Sequence, residues 1–483
     1  MSFSNLAKHA SAAAFRDHLR SLAPELDCVL EPAGPDGPLA QPAEVAGLKI
    51  GNRFVAHPME GWDGTASGLP SAHTLRRWRN FGRSGCKLVW GGEAFAVQED
   101  GRANPHQLYL NDEEDVLSGL VALREQVVAG HHEVGLSTAG LVAGLQLTHS
   151  GRWSGPTPEG AAPRTAFRHP VLDPRLGIDD DSALIRDEEL PALVERFVAA
   201  AQLAQQAGFD FVDVKACHGY LLHEFLAART REGDYGGSFE NRTRLFREIV
   251  AAIRAACPGL VVGVRVSIAD VFPHGKDPDS GAGAPLGLPD HLPYRSGFGV
   301  DPEEPLRHDW EEPFAFLQLL RELDIRLVNL TLGSPYTCPH LQRPAAFPPS
   351  DGYQPPEDPL ASVADHLRAA RRCKEAFPEL FFVGTGYTYL QEWLPHVAEH
   401  EVGGGHVDAV GVGRMLLAYP ELPLHFLRGE PLQTKRLCRT FSDCTTGPRH
   451  GMISGCFPLD PYYRGMDEAQ KVRELRNPRG GAR

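Results

Sequence analysis

The stretch DEELPALVERFVAAAQLAQQAGFDFVDVKACHGYLLHEFL, residues 187–226, carries the reading of the fold. Its first part places Leu193, Val194, Phe197, Ala201 and Ala204 on one stripe at helical spacing, behind Asp187 as a candidate N-cap. Gly208 stops that helix, and the apolar, β-branched run 209–215 follows at once as a strand. A polar, His- and Tyr-bearing turn then leads into the next helix. The same helix–Gly–strand–polar-turn unit recurs along the chain. Strands are expected at 53–57, 87–90, 144–148, 209–215, 261–267, 327–331, 380–384 and 407–412. Helical patterns separate them near 72–83, 112–128, 241–256, 313–323, 362–377 and 390–399. Eight strands alternating with helices predict an α/β fold with a parallel sheet. Loop lengths choose between a closed barrel and an open sheet. Long Pro/Gly-rich stretches at 149–182, 270–309 and 333–358 all leave the C-terminal ends of strands, whereas the returns from helix to strand are short. That asymmetry predicts a (β/α)8 TIM barrel with long βα-loop insertions, its site at the C-terminal mouth. Residues 1–38 read as an N-terminal extension, 39–430 as the barrel and 431–483 as a loop-rich C-terminal tail outside it.

The whole chain of 483 residues supports this reading. It holds 50 Gly and 40 Pro, more than an average domain but too few for a disordered chain, so the excess belongs to ordered loops. A net charge of −14 argues against nucleic acid or an anionic membrane as partner. No apolar run approaches the ~20 residues of a membrane span. The first thirty residues lack the continuous apolar segment of a secretory leader. Nine Cys without framework spacing read as reduced thiols in a cytoplasm. A cytoplasmic enzyme acting on a small-molecule substrate is expected, and homo-oligomers are compatible with this composition.

The chemistry concentrates at the strand ends. Lys215, His218 and Tyr220 follow the fourth strand, so a cation, an imidazole and a phenol would meet at the barrel mouth, able to bind a substrate oxygen and supply a proton. His223 falls at the start of a helix and reads as structural. Residues 233–242, GDYGGSFENR, read as a turn and cap feeding a helix rather than as reacting groups. Gly384-Thr385-Gly386 after the seventh strand and Gly411-Val412-Gly413-Arg414 after the eighth form a pair of phosphate-type loops where barrels commonly hold phosphate. Tyr294, Tyr336, His340 and Tyr353 lie in the long loops as candidate pocket residues.

Six segments in order, Ala56-His57-Pro58-Met59, Gln146 to Arg152, His218-Gly219-Tyr220-Leu221, Asp234 to Arg242, Val264-Arg265-Val266-Ser267 and Val412-Gly413-Arg414, resemble the old yellow enzyme family. The resemblance runs from about residue 40 to 430 and implies an FMN-dependent NAD(P)H oxidoreductase of ene-reductase type. Hydride would pass from NAD(P)H to flavin N5 and on to an activated alkene such as an enone or enal. By the same resemblance, Pro58, Met59, Glu60 and Ala94 would flank the flavin, and Gln146 would bind its pyrimidine edge. Arg265 would sit by N1/O2, and Gly386, Gly413 and Arg414 would hold the phosphate. His218 and Lys215 would polarise the acceptor oxygen while Tyr220 protonates the α-carbon. Alternatives are an amine or N-methyl dehydrogenase of the same fold, a non-catalytic flavin-binding barrel, and a flavin-free barrel using Lys215.

Two positions depart from the family. Lys215 replaces a neutral donor, which points toward a more anionic acceptor unless a carboxylate pairs with it. Glu60 stands where Thr or Cys is usual, and its charge would oppose reduced, anionic flavin unless it is protonated or paired. The tail is similar to the branch of 2,4-dienoyl-CoA reductase and trimethylamine dehydrogenase, whose members carry four Cys for an iron–sulfur cluster. Only Cys438, Cys444 and Cys456 are present here, the first shifted by one, so a cluster would need a ligand such as His450 and is not expected. No metal site is expected either.

Overall fold

Eight parallel strands close on themselves in a computed structural model that describes residue 3 and residues 5–476. They are β1 (Phe54–Ala56), β2 (Leu88–Val89), β3 (Val142–Thr148), β4 (Phe211–Val214), β5 (Val261–Ser267), β6 (Leu327–Thr331), β7 (Phe381–Gly384) and β8 (Ala409–Val412). Each pairs with the next, and β8 returns to β1 through Val410 opposite Phe54 and Val412 opposite Ala56. The arrangement is a (β/α)8 barrel. Its helices include α1 (Ala72–Arg83), α2 (Val116–Glu133), α3 (Leu190–Gln206), α4 (Phe239–Ala256), α5 (Glu311–Glu322), α6 (Pro359–Ala376) and α7 (Leu394–Gly403).

Two details differ from the sequence expectation. β2 breaks at Gly91 and Gly92, both at positive φ, and Ala94–Ala96 then resumes pairing with β3, Ala94 opposite Gln146. A side chain at Gly91 would put its Cβ 2.7 Å from the Gln146 nitrogen, so the break and the close approach need glycine. Asp187 does not cap α3. Its carboxylate takes Arg231 and the Asp234 N–H, while a short 3-10 turn, Asp187–Glu189, leads into the helix. The turn at 233–242 does feed α4, with Ser238 accepting from the Asn241 N–H as N-cap.

Apolar side chains fill the N-terminal end of the barrel. A hairpin, Ala43–Val45 with Leu48–Ile50, contributes Val45 and Ile50 to a buried cluster with Val55, Trp90, Phe211, Leu327 and Val383. The bottom is therefore packed, and the cavity described below opens at the C-terminal mouth. The long loops that frame that mouth are tied down by buried charge. Arg152, 1% exposed, donates to Glu224 at 2.5 Å and to the Phe167 carbonyl at 2.7 Å, and it also meets Asp173. Residues 431–476 return over the mouth as short helices. Arg76 pairs with Asp460 at 2.8 Å, and the Trp62 N–H donates to Ser454 Oγ at 2.8 Å. Among the described residues no helix is long and apolar enough to cross a membrane.

Candidate active site

The C-terminal ends of six strands converge on one cavity of about 310 Å³. The chain beyond β1 supplies Pro58, Met59 and Glu60, β3 supplies Gln146, and the end of β4 supplies Lys215, His218 and Tyr220. Arg265 comes from β5, Gly386 from beyond β7, and Gly413 and Arg414 from beyond β8. All of these sequence-derived candidates line the cavity except Ala94. Ala94 lies within the sheet beside Gln146, and its carbonyl accepts from Gln107 Nε2 at 2.6 Å.

One side of the cavity is cationic and incompletely satisfied. Arg265 is 4% exposed, its Nε has no hydrogen-bond partner, and Nη1 has only a 3.5 Å contact with the Pro58 carbonyl. Arg414 spends Nη2 on the Pro344 carbonyl at 2.8 Å and leaves a buried Nη1 unpartnered. Buried donors without acceptors are costly, so both positions are built for an anionic ligand. Gly386 has φ of +100°, which favours glycine, and a Cβ at Gly413 would meet nothing closer than Met59 Sδ at 3.8 Å. The backbone there is open to close approach by a ligand. Gln146 donates its amide to Asp213 at 2.6 Å, which orients the side chain and leaves its carbonyl oxygen as the acceptor for a ligand. An oxygen- and nitrogen-edged ring system with a phosphate tail fits this donor set, and FMN is such a molecule.

His57 completes this side and was not among the sequence candidates. It bridges Asn329 at 3.1 Å and Thr385 at 3.0 Å, and burial holds its imidazole neutral. An alanine at Gly411 would place its Cβ 1.9 Å from His57 Cε1, so the β8 glycine makes room for that ring. Its signal in the sequence was its place beside Pro58 in a family motif, with no chemistry to set it apart.

The other side holds the reactive groups. Tyr220 donates its hydroxyl proton to Glu60, and Tyr336 Oη lies 2.9 Å from Tyr220 Oη. Since Tyr220 has one proton and gives it to Glu60, Tyr336 donates to Tyr220. Burial, reinforced by Glu60 and Tyr336, pushes the Tyr220 phenol well above its ordinary range. The carboxylate of Glu60 is thereby hydrogen-bonded. Lys215 Nζ sits 3.8 Å from the centre of the Tyr220 ring, and burial lowers its affinity for a proton. No carboxylate pairs with it among the described residues. His218 holds a left-handed backbone, φ +68°, fixed by its N–H to Ser267 Oγ at 2.9 Å and by Ser334 Oγ to its carbonyl at 2.6 Å. Its Nε2 lies 3.1 Å from Gln342 Nε2, and burial keeps the ring neutral. His223 accepts the Gly219 N–H at 2.9 Å, a structural role.

Of the loop aromatics, Tyr336 lines the cavity, Tyr294 lines a separate small pocket, and His340 bonds Tyr353 away from both. Sequence reasoning missed Gln342 and Arg343 of the β6 loop and Arg449 of the tail, all on the cavity wall. Long loops carry no periodicity that would say which side chain turns inward. Among the described residues no group of three or more His, Cys, Asp or Glu could hold a metal ion.

A parallel barrel whose mouth joins a cationic, glycine-lined cofactor cradle to a tyrosine–histidine–lysine cluster defines a flavin-dependent oxidoreductase. The chain belongs to the NADH:flavin oxidoreductase / NADH oxidase family, whose pattern matches residues 38–282. FMN is the cofactor and NAD(P)H the reductant of that family. An NADPH dehydrogenase of Listeria monocytogenes serotype 4b (strain CLIP80459) is 33% identical over 261 residues, 53% of this chain and 68% of that protein. An NADPH dehydrogenase of Bacillus subtilis (strain 168) is 32% identical over 250 residues, 50% of this chain and 66% of that protein. In fold, the chain is similar to 2-naphthoyl-CoA reductase, with a TM-score of 0.63, 19% identity, and 90% of this chain and 58% of that one covered. It is also similar to histamine dehydrogenase from Rhizobium sp. 4-9, with a TM-score of 0.61, 20% identity, and coverage of 90% and 53%. The chain thus spans little more than half the length of these two structures.

Proposed function

We propose that this protein is an FMN-dependent NAD(P)H oxidoreductase of ene-reductase type, reducing an activated alkene. The observation that carries the reading is the convergence of Tyr220, His218 and Lys215 on the same cavity as the cofactor cradle. FMN, when bound, accepts hydride from NAD(P)H and delivers it to the acceptor. The chain's own residues do the rest. Arg265 supplies fixed positive charge where the reduced cofactor becomes negative, and Arg414 with the Gly386 and Gly413 backbone holds the phosphate. Lys215 offers donors to the acceptor oxygen, stabilising the charge that develops there. His218 is held as a neutral ring with Nε2 accepting from Gln342, which leaves its proton on Nδ1. Tyr220 supplies the α-carbon proton, and Tyr336, its hydroxyl partner, stands ready to replace it.

The test is an anaerobic absorbance titration of the FMN-loaded protein with NADPH, followed by 2-cyclohexenone. Flavin bands that bleach and then return are the expected result. Bands that bleach without returning would remove simple enones as acceptors, and an absence of bleaching would overturn the reading. One observation favours a second reading. A carboxylate that accepts the Tyr220 proton suits removal of a proton as well as its delivery, as an amine dehydrogenase would need. Bleaching of the flavin by a methylated amine without NADPH would select that alternative.

A further inference from the structure

Residues 341–344 of the β6 loop are stretched between the two phosphate-type loops. At one end the Leu341 carbonyl lies 2.9 Å from His366 Nε2, and His366 packs on the β7 loop, where a Cβ added at Gly386 would come 3.3 Å from its own Cβ. At the other end the Pro344 carbonyl accepts from Arg414 Nη2 at 2.8 Å. Arg343 stands between these anchors and lines the same cavity as Gly386, Gly413 and Arg414. Among the described residues no carboxylate pairs with it, and its one hydrogen-bond partner is Thr445 Oγ1, a neutral acceptor on the tail. Burial, followed by the nearby Arg414 and Arg449, pulls its affinity for a proton below the ordinary arginine range. Arg449 has its own counter-charge, Asp351 at 2.8 Å. Arg414 has none among the described residues, and its buried Nη1 is unsatisfied. Two guanidinium groups gathered without a carboxylate are costly, and a doubly charged anion between them offsets that cost.

A phosphate monoester carries about −1.5 to −2 charges at neutral pH and three oxygens that accept strongly. One guanidinium with two glycine loops leaves part of that charge uncovered, and a second guanidinium matches it. We propose that Arg343 is a second arginine of the cofactor-phosphate subsite and that the C-terminal tail, through Thr445, holds it in place. The proposal rests on reading the cavity as an FMN site, and it gives the tail a part in holding the cofactor. Three tail threonines bind the β6 loop. Thr445 accepts from Arg343, Thr440 accepts the Ala346 N–H at 3.1 Å, and Thr446 accepts the Ser350 N–H at 3.2 Å. The Cys438 N–H lies 3.2 Å from Met415 Sδ and ties the same tail to the residue after Arg414. The tail therefore grips both arginine-bearing segments. By fixing one rotamer of Arg343 before the anion arrives, Thr445 lowers the ordering cost of binding.

Riboflavin shares the ring of FMN and lacks the phosphate, so the two flavins separate phosphate recognition from the shape of the cavity. Full-chain protein loaded with either one is diluted in a stopped-flow instrument, and release is followed as recovered flavin fluorescence. Arg343→Gln should speed FMN release about tenfold or more and leave riboflavin release unchanged. Arg343→Lys, which keeps the charge, should restore most of the hold on FMN. Thr445→Val should speed FMN release by a smaller factor, again without changing riboflavin, and it tests the proposal even if the glutamine variant does not fold. Unchanged FMN release in Arg343→Gln overturns the proposal, as does equal acceleration of both flavins, which would mark a merely structural residue. Unchanged release in Thr445→Val overturns the role of the tail. Weaker NADPH binding by Arg343→Gln with FMN release intact would assign the guanidinium to a phosphate of the reductant and overturn the assignment to FMN. Failure of the flavin reading itself is distinct, since the wild-type protein would then bind neither flavin.

Discussion

Tyr220 has one proton and two oxygen neighbours, and the balance between them sets its chemistry. With its O–H donating a hydrogen bond to Glu60 and its oxygen accepting one from Tyr336, the protonated phenol is a weak acid held in line, suited to quenching a strongly basic carbon centre rather than to protonating a neutral molecule. Tyr220→Phe should therefore slow reoxidation of the reduced enzyme by an enone about 10²-fold or more, while flavin reduction by NADPH stays nearly unchanged. Stopped-flow measurement of the two halves checks this, and equal slowing of both would remove Tyr220 as the donor. Lys215 makes a second prediction at this scale. Desolvation pulls its ammonium below the ordinary 10.5, with Cys217, Glu60 and Asp213 raising it and Arg265 lowering it. Reoxidation of the reduced enzyme by an enone should thus slow with rising pH before an exposed lysine would lose its charge, and that decline should be absent in Lys215→Met. Stopped-flow measurements across the alkaline range check it.

At the scale of elements, the site depends on close approaches that small residues permit. Helices α1 and α2 cross where Gly82 and Gly130 face each other's backbones. A Cβ at Gly82 would lie 2.1 Å from the Val127 carbonyl oxygen, and one at Gly130 2.2 Å from that of Arg79. Gly82→Ala should destabilise the protein by roughly 1–3 kcal/mol through overpacking, seen as a lower denaturant midpoint. An unchanged midpoint would mean that the two helices can separate without cost. The consequence reaches the cavity, since α1 carries Arg77. That residue is 4% exposed, donates to Asp63 and Glu93, and contacts the Met59 carbonyl at 3.2 Å. Strand ends behave differently from helices. β2 is short because Gly91 and Gly92 turn the chain beside Gln146, so the second strand places its continuation, Ala94 included, in the sheet and away from the cavity.

Across the whole molecule, burial of neutral histidines ties stability to pH. His57, His169 and His218 are held well below their ordinary value of 6.5, and His131 and His366 are lowered to about 4, all chiefly by desolvation. The unfolded chain binds protons at these sites below pH 6.5 and the folded chain does not, so stability is full above 6.5 and is lost as pH falls. Each such group should cost about 1–2 kcal/mol at pH 5. Scanning calorimetry should show a lower transition temperature at pH 5 than at pH 7, with part of the difference removed in His131→Asn. What the sequence determined by itself was the repeating βα plan, the strands nearly to the residue, and the groups at strand ends. Hydrophobic period, glycine stops and loop asymmetry are local signals, and a strand end in a parallel barrel can point only to the mouth. The tertiary structure alone decided that Tyr220 is bonded to Glu60 and Tyr336 and that, among the described residues, no carboxylate pairs with Lys215. It also brought Arg343 and Arg449 onto the cavity wall from a loop and a tail. Those contacts join residues more than a hundred positions apart, and pairings of that kind are set by how the long loops fold across the barrel, which no local pattern records.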